Sequence, residues 1–258
     1  MTSLSAAIDG TLGRLPPHMR AVVLMLISTL CFTLMHTVIR YAATEGEMHP
    51  FEVAFFRNAF GLLAVLPFAL RGRAAAFRTR RLKLHALRGT MQVFAMLMFF
   101  YALSITPLAK ISAVSFTAPL FATLGAIIFL GERIRARRIF ALVLGFTGAM
   151  VIVRPGLIEL DLGAMLVMTS SSIWACAILI IKSLSRTESS LTITTYQNIF
   201  LIPFTLVAAL FFWTWPSWQM LGLFAVMGMF GSIAHVAMAE ALKLAETTAV
   251  LPYDFVRL

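Results

Sequence analysis

Apolar residues run in blocks of about 15–23 along this chain, separated by short polar stretches, and a helix of about 20 residues spans a bilayer. The pattern predicts membrane helices at roughly 21–41, 51–70, 87–105, 111–130, 139–153, 163–181, 191–212, 219–239 and from about 247 to the end. Membrane strands would instead show alternating segments of about ten residues, and none are found. Composition sharpens the picture: 60% of the 258 residues are hydrophobic and 12% charged, whereas a soluble chain is about half apolar and a quarter charged. Such a chain has too little polar surface to face water. The fold class expected is an all-α polytopic membrane protein.

The net charge of +10 raises nucleic-acid binding as a reading, and the placement of the charge excludes it. With residues 1–20 as an internal amino-terminal segment, sixteen of the 21 basic residues fall on the same side as that segment, many of them in the 71–88 loop. That is the positive-inside bias of a protein in the cell's inner membrane, amino terminus in the cytoplasm. Arg14 and Arg20 before an apolar run faintly resemble a signal peptide, but the run exceeds a usual 7–15-residue core; it is read as an uncleaved first span. Cys31 and Cys176 lack metal-ligand spacing and read as packing residues.

Four matches recur in order along the chain. Ser28-Thr29 with Phe32 and Arg40 matches Ser170-Ser171 with Trp174 and Lys182, at an offset of 142. Phe56-Arg57-Asn58 matches Tyr196-Gln197-Asn198 at 140. Gly89 and Ala102-Leu103 match Gly228 and Ala241-Leu242 at 139, and the segment 108–114 matches 244–250 at 136. The chain thus divides into five-helix repeats over 21–154 and 163–258. An odd number of spans per unit inverts the second, and inverted repeats are the architecture of alternating-access carriers. By this analogy ten helices are expected and about nine are present, the second repeat stopping inside its ninth span.

Polar groups inside apolar runs are the candidate binding residues, because ionisable side chains in a membrane usually face a cavity or a partner. Arg57 offers a fixed positive charge for a substrate carboxylate; alternatively it reaches the interface or pairs with Glu52. Asp254 and Arg257, three apart, either neutralise each other or meet a cation and a carboxylate of the substrate, beside Tyr253 and the helix-opening Pro252. His36 and His235 are candidate sites for a coupling proton or for cross-helix hydrogen bonds. Phe32, Tyr101 and Trp174 offer aromatic faces to a cationic or aromatic ligand, and Gln92, Ser28, Ser115 and Asn198 neutral hydrogen bonds. Trp213, Trp215 and Trp218 read as an interfacial belt. Ala141, Gly145 and Ala149 form a small-residue stripe for packing or homodimer contact. Glu132 reads as an anchor paired with neighbouring arginines, and Glu240 as a solvated group.

The segment Ser115-Phe116-Thr117-Ala118-Pro119-Leu120, then Leu130-Gly131-Glu132, Gly145-Phe146-Thr147-Gly148-Ala149 and Arg154-Pro155-Gly156, resembles the EamA-type repeat of the drug/metabolite transporter superfamily. The resemblance implies ten helices with both termini in the cytoplasm. Segments 51–57, 87–89 and 114–116, with Pro252-Tyr253, are similar to the S-adenosylmethionine uptake carriers. A secondary carrier is therefore expected, working against the lipid bilayer on a small polar metabolite, with S-adenosylmethionine as the first substrate. It would be driven by a proton or by exchange, without a cofactor. Export of amino acids is the alternative direction, and a non-transporting membrane enzyme or scaffold the rival class. No zinc-protease, nucleophile-elbow or phosphate-loop motif appears.

Overall fold

In a computed structural model of the chain, residues 15–71, 77–132, 136–153 and 161–257 are described. They form helices α1 (Pro17–Thr44), α2 (Pro50–Arg71), α3 (Leu82–Ile105), α4 (Leu108–Ser115), α5 (Thr117–Leu130), α6 (Ala136–Val153), α7 (Leu162–Ser185), α8 (Ser190–Leu210), α9 (Trp218–Leu244) and α10 (Thr247–Val250), then a 3₁₀ segment, Leu251–Arg257. Seven of these stretches are long and apolar enough to cross a membrane, counting α4 and α5 as one. Proline starts the bundle at Pro17, where its missing N–H costs no bond. Asp161, Ser189 and Ser217 cap α7, α8 and α9 by accepting the N–H three residues on. Gly131, with φ of 66°, ends α5 in the left-handed conformation that glycine adopts without a Cβ clash.

Two expected spans are not single α-helices. The 111–130 span breaks at Phe116, because Pro119 has no N–H for the Ser115 carbonyl. The final span is one α-turn followed by a 3₁₀ stretch, and Pro252 likewise removes the donor for Thr248. These interruptions stand at matching places under the 136-residue offset.

The equivalent helices α2 and α8 meet antiparallel. Along them, Asn58 touches Thr205 and Arg57 touches Asn198, and Glu52 touches Thr214 just beyond the end of α8. Close helix approach is symmetric as well. A Cβ on Gly89 would lie 2.6 Å from Phe200 Cβ, and one on Gly228 would lie 2.7 Å from Phe60 Cβ and 2.6 Å from the Gly61 backbone N. Gly228→Ala is expected to destabilise the bundle by about 1–3 kcal/mol, the usual cost of overpacking. The measurement is thermal unfolding in detergent, and an unchanged transition would refute the close approach.

Cationic residues at the offset of 142 tie helix ends in the same way. Arg40 on α1 donates to the Leu103 carbonyl (2.9 Å) and the Thr106 carbonyl, closing the end of α3. Lys182 on α7 donates to the Leu242 (2.5 Å) and Ala245 (2.6 Å) carbonyls, closing the end of α9. Cations there satisfy carbonyls that a helix terminus leaves without partners. Charges near the bundle ends are therefore engaged. Lys110 pairs with Asp161 at 2.9 Å, and that ammonium and the Ala164 N–H hold the Asp161 carboxyl below its usual range. Glu240, expected to be solvated, accepts from Ser190 Oγ and lies 3.6 Å from Lys243. Glu132 accepts the backbone N–H groups of Thr247 and Thr248, both at 2.9 Å; the side chains of its neighbouring arginines lie outside the described residues.

The outer faces carry exposed apolar side chains, Phe129 and Phe211 among them, as expected of a bundle solvated by lipid. Trp215 and Trp218 are exposed, while Trp213 packs on Phe55 and Phe56. In the α6 stripe, the side chains of Gly145 and Ala149 lie outside the described residues.

Candidate functional site

A cavity of about 660 Å³, mouth included, lies where α1, α2, α3, α7 and α9 meet the α4–α5 break. Ligand pockets are commonly apolar with a few convergent polar groups, and this cavity has that lining. Seven of the residues expected from sequence line it: Phe32, His36, Arg57, Gln92, Ser115, Trp174 and His235. Equivalent positions face it from both halves, Phe32 with Trp174 and Met96 with His235. Phe32 meets Trp174 edge-on at 6.3 Å and His235 at 5.0 Å, while His36 leans on Phe99 at 5.0 Å. These contacts build an aromatic wall.

Arg57 is 3% exposed. It neither reaches the interface nor pairs with Glu52, which accepts from the Thr214 N–H (2.5 Å) and hydroxyl (3.0 Å) and from the His49 N–H (3.0 Å). Instead Arg57 Nη1 donates to Asn58 Oδ1 at 2.6 Å and to Asn198 Oδ1 at 3.5 Å. These asparagines are equivalent under the 140-residue offset, so one guanidinium bridges the two halves. No carboxylate lines the cavity among the described residues. Arg57 Nε, Gln92 Oε1 and His235 Nδ1 are buried without a hydrogen-bond partner. A buried polar atom left in that state costs about 1–3 kcal/mol, and a ligand with complementary groups removes the cost.

Four expected site residues lie elsewhere or outside the description. Tyr101 sits 6.4 Å from Phe51 and away from the cavity. Tyr253 is on the bundle surface. Asp254 is buried against α1, where it accepts from Thr29 Oγ1 at 3.3 Å; the 3₁₀ winding of 251–257 sets that direction. The Arg257 side chain lies outside the described residues. Sequence reasoning missed Met35, Met96, Phe99, Phe100 and the Ser170-Ser171 pair as liners. Helical spacing could have found several: Gln92, Ala95, Met96 and Phe99 share one face of α3. It also missed Arg88, which is 1% exposed and donates to the Ile193 carbonyl (3.0 Å) and to Gln197 Oε1.

An all-α membrane bundle with a cation-bearing cavity between antiparallel equivalent helices defines a membrane carrier. Residues 19–154 match the EamA-like transporter family, and the chain belongs to that family, within the drug/metabolite transporter superfamily; it is a transporter, not an enzyme. It is 30% identical over 237 residues to a riboflavin transporter of Vibrio cholerae, covering 91% of this chain and 80% of that one. It is also 30% identical over 244 residues to an S-adenosylmethionine uptake transporter of Rickettsia prowazekii, covering 95% and 82%. A solved crystal structure aligns with a TM-score of 0.75 at 16% identity, over 92% of this chain and 84% of that one, a likeness of fold.

Proposed function

We propose that the chain carries a small polar organic metabolite across the cell's inner membrane by alternating access, with S-adenosylmethionine as its first substrate. The observation that carries this reading is the Arg57 guanidinium, buried in the cavity with neutral partners only. A cation kept in a membrane without a carboxylate suits a ligand that brings its own. S-adenosylmethionine has an α-carboxylate for Arg57, a sulfonium for the faces of Phe32 and Trp174, and an adenine for the aromatic wall. The Rickettsia relative supports this substrate. The amino terminus would lie in the cytoplasm, as the positive-inside bias favours. The site has its counterpart liners on helices of opposite direction, the arrangement that rocking of one half against the other exploits. Exchange against an internal metabolite or a proton gradient would supply the driving force.

Riboflavin is the second reading, favoured by the aromatic lining and by the Vibrio relative. The deciding experiment is uptake of labelled S-adenosylmethionine into proteoliposomes of the full chain, with unlabelled competitors inside and outside. Saturable accumulation is expected, blocked by excess S-adenosylmethionine and not by riboflavin. Uptake of riboflavin alone would replace the substrate, and no uptake of either would overturn the proposal.

A further inference from the structure

Gln197 occupies the position that the 140-residue offset pairs with Arg57, and its amide joins two buried groups that lie on different helices. On one side is the Arg88 guanidinium of α3, on the other the His235 ring of α9. Arginine has five N–H donors and no acceptor. The Gln197 amide must therefore turn its oxygen to Arg88, since the flipped amide would set NH₂ against a donor. That leaves Gln197 Nε2 facing His235 Nε2 at 2.8 Å. An amide nitrogen only donates, so His235 Nε2 accepts. In a neutral imidazole one nitrogen accepts and the other holds the proton, which places the proton on Nδ1. His235 is 4% exposed, its Nδ1 has no partner in the protein, and its ring lines the cavity.

We infer that Arg88 and Gln197 are positioning residues that hold His235 as a neutral Nδ1–H donor for an acceptor group of the ligand. The inference rests on the reading of this cavity as the substrate site. It defines the ligand class more closely. Arg57 Nε and His235 Nδ1–H are open donors and Gln92 Oε1 an open acceptor, so the complementary ligand presents two acceptors, such as a carboxylate and a carbonyl or ring nitrogen, and one donor. Arg88 does not line the cavity; it acts through Gln197 by fixing which way the amide faces. His235 is thereby a donor to the ligand and not a carrier of the coupling proton.

The test is nitrogen NMR of the purified full chain, labelled with ¹⁵N-histidine, in lipid nanodiscs near neutral pH. The His235 signals are assigned by their loss in His235→Gln. The expected spectrum has a protonated, pyrrole-type Nδ1 and an unprotonated, pyridine-type Nε2. In Gln197→Glu the carboxylate can only accept, so Nε2 must gain a proton and its signal moves to the protonated range. Sodium acetate, the simplest carboxylate, should shift the wild-type Nδ1–H signal. A wild-type proton on Nε2, an Nε2 unmoved in Gln197→Glu, or an Nδ1–H blind to acetate would each overturn the inference. Should Gln197→Glu not fold, the wild-type spectrum and the acetate titration decide alone. The expected spectrum in a protein that takes up neither S-adenosylmethionine nor riboflavin would strike the transport reading and leave the His235 assignment standing.

Discussion

Arg57→Met is expected to cut S-adenosylmethionine uptake between tenfold and a hundredfold while shifting the unfolding transition little. Among the described residues the guanidinium is the one basic side chain that lines the cavity besides two histidines, and a hydrogen bond to a charged group contributes about 1.5–3 kcal/mol. Each 1.4 kcal/mol is a factor of ten. Stability is spared for a separate reason. Removing the buried charge also removes its desolvation cost, which offsets the loss of the donor to Asn58 Oδ1 and Asn198 Oδ1. Asn58 Nδ2 keeps its bonds to the Ala54 carbonyl at 2.9 Å within α2 and to Thr205 Oγ1 at 3.5 Å on α8, so the contact between the two helices survives. Arg57→Lys should fall between the two, retaining charge but losing the planar fork that reaches Asn58 and Asn198 together. Initial uptake rates in proteoliposomes, with unfolding followed in parallel, separate the effects. Equal rates for wild type and Arg57→Met would remove this residue from the substrate path.

The bundle was legible because each span carries its own signal. Lipid imposes a length on every apolar run, and capping residues such as Asp161, Ser189 and Ser217 mark the starts. The repeat matches foresaw more than helices. Arg40 with Lys182, and Gly89 with Gly228, perform matching tasks at their offsets. Within the candidate site, what could be read were polar side chains stranded in apolar runs, Arg57, Gln92 and His235 foremost. The hidden part depends on contacts between distant segments. Met96 has the chemistry of any core methionine; only its position opposite Phe32 and His235 sets it on the cavity wall. Asp254 also reaches Thr29, 225 residues earlier, a contact that its local spacing to Arg257 does not reveal. Arg88 lay among the basic residues counted toward orientation, and its burial depends on α8, a hundred residues further on. Glu132 follows Gly131, which ends α5 in the left-handed conformation, and its carboxylate meets α10, more than a hundred residues further on.

Glu132→Ala should lower stability by about 2–4 kcal/mol, the largest loss expected at any bundle end. The carboxylate is buried and takes two backbone N–H groups of the α10 start, at 2.9 Å each. Removing it leaves two donors unsatisfied at about 1–3 kcal/mol apiece before relaxation, and loss of a single helix cap alone costs about 1 kcal/mol. Glu132→Gln, with one acceptor oxygen, should lose about half as much. Titration offers an independent check. Burial pushes the Glu132 carboxyl up, but the Thr248 and Thr247 N–H groups and the Lys182 ammonium outweigh it and leave it below its ordinary value of 4.5. A carboxyl depressed in the folded state gives its full stabilisation above that ordinary value and loses it as pH falls through the lowered one. Wild type should therefore weaken between about pH 4.5 and the lowered value more steeply than Glu132→Ala, whose curve lacks this proton. Parallel curves for the two proteins would show that the carboxylate does not hold α10. The same contact joins the end of the α4–α5 span to the turn between α9 and α10, so a carrier that rocks its halves apart must release it or carry it along. Uptake by Glu132→Gln distinguishes these: faster turnover marks a latch that opens, unchanged turnover a hinge that stays closed.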